Sequence, residues 1–358
     1  MNTNTKVFSI AAIAIVIVGA GLLIWEDIKP KEEIVTIREL DTTDPSQWEL
    51  VTKLTGRNIP EEEGVKLEQI TSIQSTGGTV ALQALLANNI DAAGSSFTAW
   101  INVIASGGKI KALFVRKVET KDTVPDGGLL VLNDSGIYTI KDLVGKKIAV
   151  NVLGAESDYI IRAFLKQNGL SINDVQLVVV PSANQEQVLR SKQVDAAAWT
   201  SSGGIQFDMA LEKGGVRSIP GTRSYDVRAN FGVISYSSYA IGFSEDFIQK
   251  HPETVRRYVR AYLTALHIVA QEYQKDPERV KKAYAEVAEK KGGNPKLSRY
   301  YKPTGSIEYP FITDEDIQWW IDRYVEDGIL KPGQIKPSDV YTNEFNPFIK
   351  TEQKKGVK

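Results

Sequence analysis

Short apolar runs alternate with helix-like patterns along most of the chain from Ile34 onward. The helical periodicity is clearest in Val80–Leu86 and in Asp158–Gln167, which is followed by the helix-ending Gly169. This strand–helix–strand alternation predicts an α/β fold with mostly parallel sheets. The apolar runs predict strands at Ile34–Leu40, Lys66–Ile70, Ile90–Ala93, Ala112–Val115, Lys147–Val152, Val175–Val180, Val194–Ala198 and Val233–Ile234.

The last third of the chain is predicted to be helical, in Ser244–Tyr273, Asp276–Lys290 and Thr313–Gly328. Acidic residues open the first and third of these segments, where they complement the helix dipole. By contrast, Asp41–Pro60 is predicted to be a long loop, and Glu26–Glu33 a charged stalk.

The N-terminal segment Val7–Trp25 is 19 residues long and carries no charge, which is close to the length that crosses a bilayer. Lys6 precedes it and Glu26-Asp27 follow it, so the remaining chain is expected outside the cytoplasm. The apolar run continues past the small residues Gly19–Gly21, which favours an uncleaved anchor. A cleaved signal peptide is the alternative.

Two tracts resemble each other as an internal repeat, "ALLANNIDAAGSS" at 84–96 and "VLRSKQVDAAAWTSS" at 188–202. Their aspartates, Asp91 and Asp195, lie 104 positions apart. That spacing is too long for a solenoid and suits one equivalent unit in each of two lobes.

The composition excludes several kinds of chemistry. With 43 basic and 44 acidic residues, the net charge of −1 favours neither nucleic acid nor an anionic membrane surface. The absence of cysteine removes disulfides, thiolate metal sites and cysteine nucleophiles. The two histidines, His251 and His267, have no neighbouring partners at metal or triad spacing. We therefore expect no catalytic residues, metal or cofactor.

Small polar residues follow several predicted strands. In open α/β sheets ligands bind beyond the carboxyl ends of the strands, where N–H groups at helix starts and nearby hydroxyls can hold an anion. Helix capping alone explains any one of these turns, but their recurrence favours a shared cleft. The candidate ligand-binding residues of these turns are Thr76, Gly77, Gly78, Ser95, Ser96, Glu156, Ser157 and Thr200.

Aromatic residues supply the apolar part of a small-molecule site. Trp48, Trp100 and Trp199 fall in or beside these predicted loops, and we take Trp48 and Trp199 as candidate walls. Trp319-Trp320 has helical spacing and is predicted to pack in the core.

At this point the chain resembles the substrate-binding proteins of ABC importers of the sulfonate, taurine and nitrate group, which includes binders of thiamine pyrimidine precursors. The resemblance rests on "NNIDAAGSS", on "VDAAAW" and on two longer tracts. These are "YTIKDLVGKKIAVNVLGAESDYIIRAFLKQNGL" and "FSEDFIQKHPETVRRYVRAYLTALHIV".

The resemblance implies a two-lobed, type II periplasmic-binding-protein-like fold with mixed sheets flanked by helices. The expected parts are an anchor and stalk (1–33), lobe 1 (34–132 with 240–345), lobe 2 (133–239) and a polar tail (346–358). It also implies a monomer that traps a small molecule between its lobes. The partners would be a permease and its ATPase, reached from the extracytoplasmic face of the membrane.

One departure from the family pattern bears on the ligand. Ala155-Glu156 stands where sulfonate binders often carry small hydroxyl residues. A carboxylate there would repel a plain anion and would favour a zwitterion such as taurine, or an amino-bearing ring. Two other hypotheses stay open, an enzyme using Glu156 and Asp158, and a tethered sensor domain. Neighbouring genes for a permease and an ATPase would favour the importer.

Overall fold

The computed structural model describes residues 34–42, 44–73, 78–120, 127–154, 156–199, 204–223, 226, 235–303 and 311–349, with side chains omitted at 117–120 and 235–238. The predicted anchor Val7–Trp25 and the predicted strand Val233–Ile234 lie outside these residues. The strands are β1 (Thr36–Leu40), β2 (Lys66–Ile70), β3 (Ala92–Ser96), β4 (Ile110–Thr120), β5 (Leu129–Leu132), β6 (Lys147–Val150), β7 (Gln176–Val179), β8 (Ala196–Ala198), β9 (Val216–Ser218) and β10 (Ser235–Ser244).

Helices connect these strands and form most of the C-terminal part. They are α1 (Gln47–Thr55), α2 (Ile59–Glu62), α3 (Gly78–Leu86), α4 (Phe97–Ala105), α5 (Glu156–Gln167), α6 (Ser182–Arg190), α7 (Gly204–Glu212), α8 (Glu245–Lys250), α9 (Pro252–Lys275), α10 (Pro277–Lys290), α11 (Asp314–Glu326) and α12 (Pro337–Val340). Short 3₁₀ helices occur at Ile140–Leu143, Ile172–Asp174 and Pro295–Tyr300.

The strands fall into two sets with the same order. In the first, β1 and β2 pair in parallel, and β10 pairs antiparallel with both β3 and β4. Asp91, directly before β3, donates from its N–H to Arg38 O of β1 at 2.9 Å, which sets the β2-β1 ladder beside the β3-β10-β4 ladder. We call these two ladders together the first sheet. The second sheet has the order β7-β6-β8-β5-β9, in which β6 pairs in parallel with β7 and β8, and β5 pairs antiparallel with β8 and β9.

The internal repeat is visible in the backbone. Among the described residues, the non-glycine residues with positive φ are Asn88 (58°) and Lys192 (59°), which lie 104 positions apart like the two aspartates. Each ends a helix of the repeat, α3 or α6, and turns the chain into the next strand. The sequence repeat therefore corresponds to one helix–turn–strand unit in each sheet.

The helices follow local rules of the sequence. Ser46 and Glu49 form a capping box at the start of α1, and Gly56 ends that helix in the left-handed conformation. Pro252 is the first residue of α9, so the predicted helix Ser244–Tyr273 is two helices separated at His251. The long α9 buries one face, including Tyr258 and Tyr262, against the first sheet and α1.

Three predicted features differ from the structure. The sheets are mixed, as the resemblance implies, and not mostly parallel as the strand–helix alternation alone predicts, because β5 and β10 run antiparallel to their neighbours. Asp41–Pro60 is not a loop, since the capping box starts a helix that places Trp48 in its first turn. Leu129–Leu132, which we predicted in lobe 1, pairs with β8 and β9 in the second sheet.

Candidate functional site

Gly78 and Ser95 lie against each other where α3 begins and β3 approaches its end. A Cβ placed on Gly78 would lie 2.9 Å from Ser95 Cβ and closer still to its hydroxyl oxygen, so the approach requires glycine. Ser95 is fully buried, and its Oγ has no hydrogen-bond partner among the described residues. A buried hydroxyl without a partner is rare and costs free energy. The structure therefore brings together two of the predicted ligand-binding residues.

Ser96 is the last residue of β3 and precedes α4. Its hydroxyl lies 2.7 Å from Thr98 Oγ1 and does not cap the helix. Ser95 and Ser96 are predicted to follow the strand Ile90–Ala93, but they are the last two residues of β3 itself.

Glu156, Ser157 and Asp158 form the first turn of α5 and are all buried. The Ser157 hydroxyl donates to Asn151 Oδ1 at the preceding bend. Asp158 accepts a hydrogen bond from Gly154 N at 2.9 Å and pairs with Arg162 at 2.8 Å. Glu156 is 6% exposed, so its carboxylate is not a solvated group at a helix start.

A side chain from the first sheet's region contacts this turn. Asn102 of α4 donates from Nδ2 to the carbonyl oxygen of Gly154 at 2.8 Å. Both α4 and α5 also contact α11, where Tyr324 donates to Thr98 O at 3.0 Å and stacks on Tyr159 at 4.1 Å. The turns that carry Ser96 and Glu156 are thus connected through the two helices that they open.

A cavity of about 130 Å³ lies beside β1, β3, β10 and the start of α1. Trp48 lines it, and the indole is also packed edge-on against Tyr262 at 4.9 Å and Tyr258 at 5.9 Å. Its role as a ligand wall stays a prediction. Pockets that enclose a drug-sized ligand are typically ~300–1,000 Å³. This cavity therefore suits a very small ligand, or one end of a larger one.

Glu39, on β1, is the centre of a hydrogen-bond network at this cavity. Its Oε1 accepts from Trp48 Nε1 at 3.1 Å and from Gln69 Nε2 at 2.5 Å, and its Oε2 accepts from the Tyr258 hydroxyl at 2.9 Å. Burial raises the pKa of the Glu39 carboxyl above its ordinary value, and the donated hydrogen bonds offset part of that increase.

Arg116, on β4, lines the same cavity. Its guanidinium lies over the ring of Tyr239 at 5.7 Å. Tyr239 in turn lies against Gly94, where a Cβ would come within 2.6 Å of the ring. Burial raises the pKa of both Tyr239 and Tyr262, the latter to about 12, so both are neutral phenols at pH 7.

Trp199 lies elsewhere. It is 2% exposed at the end of β8, its Nε1 donates to Ser182 O at 3.2 Å, and its ring meets Phe207 edge-on at 6.3 Å. It packs with the residues of the second sheet's core and does not line the cavity. Its role as a ligand wall stays a prediction. Thr76, Gly77 and Thr200 lie outside the described residues.

Sequence reasoning missed Glu39 and Arg116. Glu39 lies inside the predicted strand Ile34–Leu40, and Arg116 directly follows the predicted strand Ala112–Val115. An ionisable residue in or beside a buried strand is a signal for a functional or ion-paired position. In the described part of the chain, no group of three or more metal-ligating side chains is present.

The chain is similar in sequence to a protein family and to several binding proteins. Residues 123–278 match the family described as NMT1/THI5 like. A protein of Brucella abortus named as a binding protein is 24% identical over 283 residues, which cover 75% of this chain and 79% of that protein.

Solved structures give the fold. The alkanesulfonate-binding protein SsuA of Xanthomonas axonopodis, bound to MOPS, matches with a TM-score of 0.65 and 19% identity over 86% of this chain and 98% of that one. This chain has the fold of a periplasmic binding protein. The nitrate-binding protein NrtA of Synechocystis matches with a TM-score of 0.61 and 13% identity over 87% of each chain.

These similarities agree with the predicted resemblance and with the predicted type of fold. These relatives are named as binding proteins. Among the helices of the described ranges, none is both long and apolar enough to span a bilayer.

Proposed function

We propose that this chain is an extracytoplasmic solute-binding protein that delivers a small organic anion or zwitterion, of the sulfonate or taurine type, to an ABC importer. The observation that carries the proposal is the buried Ser95 hydroxyl against Gly78 at the start of α3, which has no hydrogen-bond partner in the part of the chain that the structure describes. A ligand acceptor or donor placed there would satisfy the hydroxyl and the N–H groups at the helix start together.

The names of the similar proteins support this ligand class. The Xanthomonas protein binds an alkanesulfonate, and the Synechocystis protein binds nitrate. Small anions of these kinds are held by oriented N–H groups and hydroxyls in a partly buried site. The expected ligand-binding residues remain those of the strand ends, including Thr76–Gly78, Ser95-Ser96 and Ser157, with Trp48 and Trp199 as walls.

A second candidate ligand is an amino-bearing heteroaromatic ring such as a thiamine pyrimidine precursor. The observation that favours it is the position of the Glu156 carboxylate in the first turn of α5, where it would repel a plain anion and attract an amino group of a bound ring. A thermal-shift screen of the purified chain separates the candidates. The panel contains taurine, ethanesulfonate, nitrate and an aminopyrimidine, and the first two are expected to raise the melting temperature. Stabilisation by the aminopyrimidine alone would select the second candidate.

We further propose that two lobes, one around the first sheet and one around the second sheet with Leu129–Leu132 in it, close on the ligand by hinge motion of the crossing strands. The hydrogen bond between Asn102 and Gly154 O supports an arrangement in which closure brings α4 toward the β6–α5 turn. Small-angle scattering should give a smaller radius of gyration at ligand saturation. An unchanged scattering profile would exclude closure in solution.

The proposal places the protein on the extracytoplasmic face of the membrane, anchored by Val7–Trp25. Intact-mass measurement of the membrane fraction is expected to give a chain that retains this segment. A mature chain that begins between Gly21 and Glu33 would instead indicate a cleaved signal peptide and a released protein.

A further inference from the structure

We infer that Arg116 is the charged group that binds the anionic head of the ligand, in the cavity between β1, β4, β10 and α9. The inference rests on the proposed function and deepens it. The proposed function places the anionic end of the ligand at hydroxyls such as Ser95 and Ser96. The present inference places it instead at the Arg116 guanidinium, which the sequence pattern did not indicate.

Arg116 differs from the other charged residues of the cavity in its partners. Lys291 is paired, with Nζ at 2.8 Å from Asp41 and 3.0 Å from Glu49. Glu39 accepts hydrogen bonds from three neutral donors. Within the residues that the structure describes, no carboxylate lies within ion-pair distance, 4 Å, of the Arg116 guanidinium.

The Arg116 guanidinium interacts with the ring and hydroxyl of Tyr239 and, through charge alone, with Asp44. The Tyr239 ring lies 5.7 Å from its guanidinium carbon, and Tyr262 lines the same cavity. Cation–π contact stabilises the half-buried guanidinium, which stays charged and faces the cavity. An anion that enters the cavity would provide the missing charge and would form bidentate hydrogen bonds, which suit sulfonate, phosphonate and carboxylate groups.

The size of the cavity agrees with a head group. About 130 Å³ accommodates a few heavy atoms rather than a whole extended ligand. Tyr239 and Gly94 define one wall, and the close approach of the ring to Gly94 fixes the phenol beside Arg116. A small anionic group fits this space, while the remainder of the ligand would extend from it.

The test compares an anion with its neutral isostere in calorimetry on the full chain in detergent. The probes are taurine, ethanesulfonate, methylphosphonate and acetate, with ethanesulfonamide as the neutral partner of ethanesulfonate. The variants are Arg116→Gln, which removes the charge, and Arg116→Lys, which keeps it without the bidentate geometry. The matched control is Arg256→Gln, which removes a guanidinium that lies over the Phe345 ring at 5.3 Å but does not line the cavity.

We expect the native chain to prefer ethanesulfonate to ethanesulfonamide. Arg116→Gln should weaken binding of the preferred anion by about 30-fold or more and abolish that preference, since truncating one member of a buried charge pair has effects of this size. Arg116→Lys should bind with intermediate affinity, and Arg256→Gln should bind as the native chain does.

Two results would overturn the inference in distinguishable ways. If Arg116→Gln binds the preferred anion as tightly as the native chain, Arg116 is not the anion-binding group, and the proposed function stands. If the native chain binds none of the four probes, the inference fails together with the proposed ligand class, and binding of an aminopyrimidine would then leave a solute-binding role. Should Arg116→Gln fail to fold, Arg116→Met, which keeps an unbranched side chain and removes the charge, makes the same comparison.

Discussion

Asp91 and Asp195 occupy the same position in the two sheets. The carboxylate of Asp91 accepts from Arg38 N, and that of Asp195 accepts from Lys147 N, each at 2.9 Å. The backbone N–H of each aspartate donates back to the carbonyl of the same partner residue, again at 2.9 Å. Each aspartate thus joins the strand it precedes, β3 or β8, to the neighbouring strand, β1 or β6.

The two aspartates differ in what else they bind, and this predicts unequal effects on stability. Asp91 is 6% exposed and also accepts from Arg38 Nε and from its terminal nitrogen, whereas Asp195 is half-buried. We expect Asp91→Asn to lower the free energy of unfolding by about 2–3 kcal/mol and Asp195→Asn by about 1 kcal/mol, as for charged and single hydrogen bonds respectively. Urea unfolding measures both values. Equal losses would show that the Arg38 ion pair contributes nothing.

The contact between Gly78 and Ser95 predicts that an added methyl group cannot be accommodated. Gly78→Ala should lower the free energy of unfolding by about 1–3 kcal/mol, the range for overpacking a close contact. The control is Gly78→Ala combined with Ser95→Gly, which removes the Cβ and hydroxyl that the new methyl group would meet. The double variant should recover stability relative to the sum of the single variants. Additive losses would place the cause elsewhere, such as in the start of α3.

Glu39 predicts a specific pH dependence of stability. Burial raises its pKa above the ordinary 4.5, so the folded protein holds this proton more tightly than the unfolded chain does. The stabilisation from that proton is complete below the unfolded pKa and is lost as the pH rises through the folded pKa. Each pKa unit of difference corresponds to about 1.4 kcal/mol.

The matched variant is Glu39→Gln, which keeps the shape of the side chain and cannot titrate. The unfolding free energy of the native chain, relative to that of Glu39→Gln, should fall as the pH rises from about 4, near the ordinary glutamate pKa, to neutrality. Urea unfolding at several pH values checks the trend. A difference that stays constant or grows with pH would mean that the three donated hydrogen bonds outweigh burial.

Much of the fold follows from local patterns in the sequence. The strand Lys66–Ile70 and the helix Val80–Leu86 are found where apolar periodicity predicts them, within two residues. The repeat predicted from two Asp-Ala-Ala tracts corresponds to matched turns at Asn88 and Lys192. These features depend on short-range spacing, which a sequence displays directly.

The features that the sequence did not reveal depend on long-range contacts. Trp48 was assigned to a loop because Asp41–Pro60 is polar, although Ser46 and Glu49 carry a capping box. The antiparallel pairing of β10 with β3 joins residues more than 140 positions apart, which no local pattern displays. Glu39 on β1 and Arg116 on β4 are distant in sequence and line one cavity only in the folded chain.

Glu156 predicts which ligands the site discriminates. Its carboxylate is buried in the first turn of α5, so an amine or ring N–H of the ligand would stabilise it and a plain anion would be repelled. Glu156→Gln should weaken an amine-bearing ligand by about 2–4 kcal/mol, the range for truncating one member of a buried charged pair. It should leave a simple alkylsulfonate unaffected or bound more tightly.

Calorimetry with taurine, ethanesulfonate and an aminopyrimidine on both proteins measures this difference. The control is Glu278→Gln, which changes another carboxylate in the first turn of a helix, α10, but one that is 81% exposed. That variant should bind all three ligands as the native chain does. If the native chain prefers ethanesulfonate and Glu156→Gln changes no affinity, the buried carboxylate serves the packing of α5 rather than the selectivity of the site. The preference for amine-bearing ligands would then have to come from the acidic wall of the Arg116 cavity, where Glu39 and Asp41 lie.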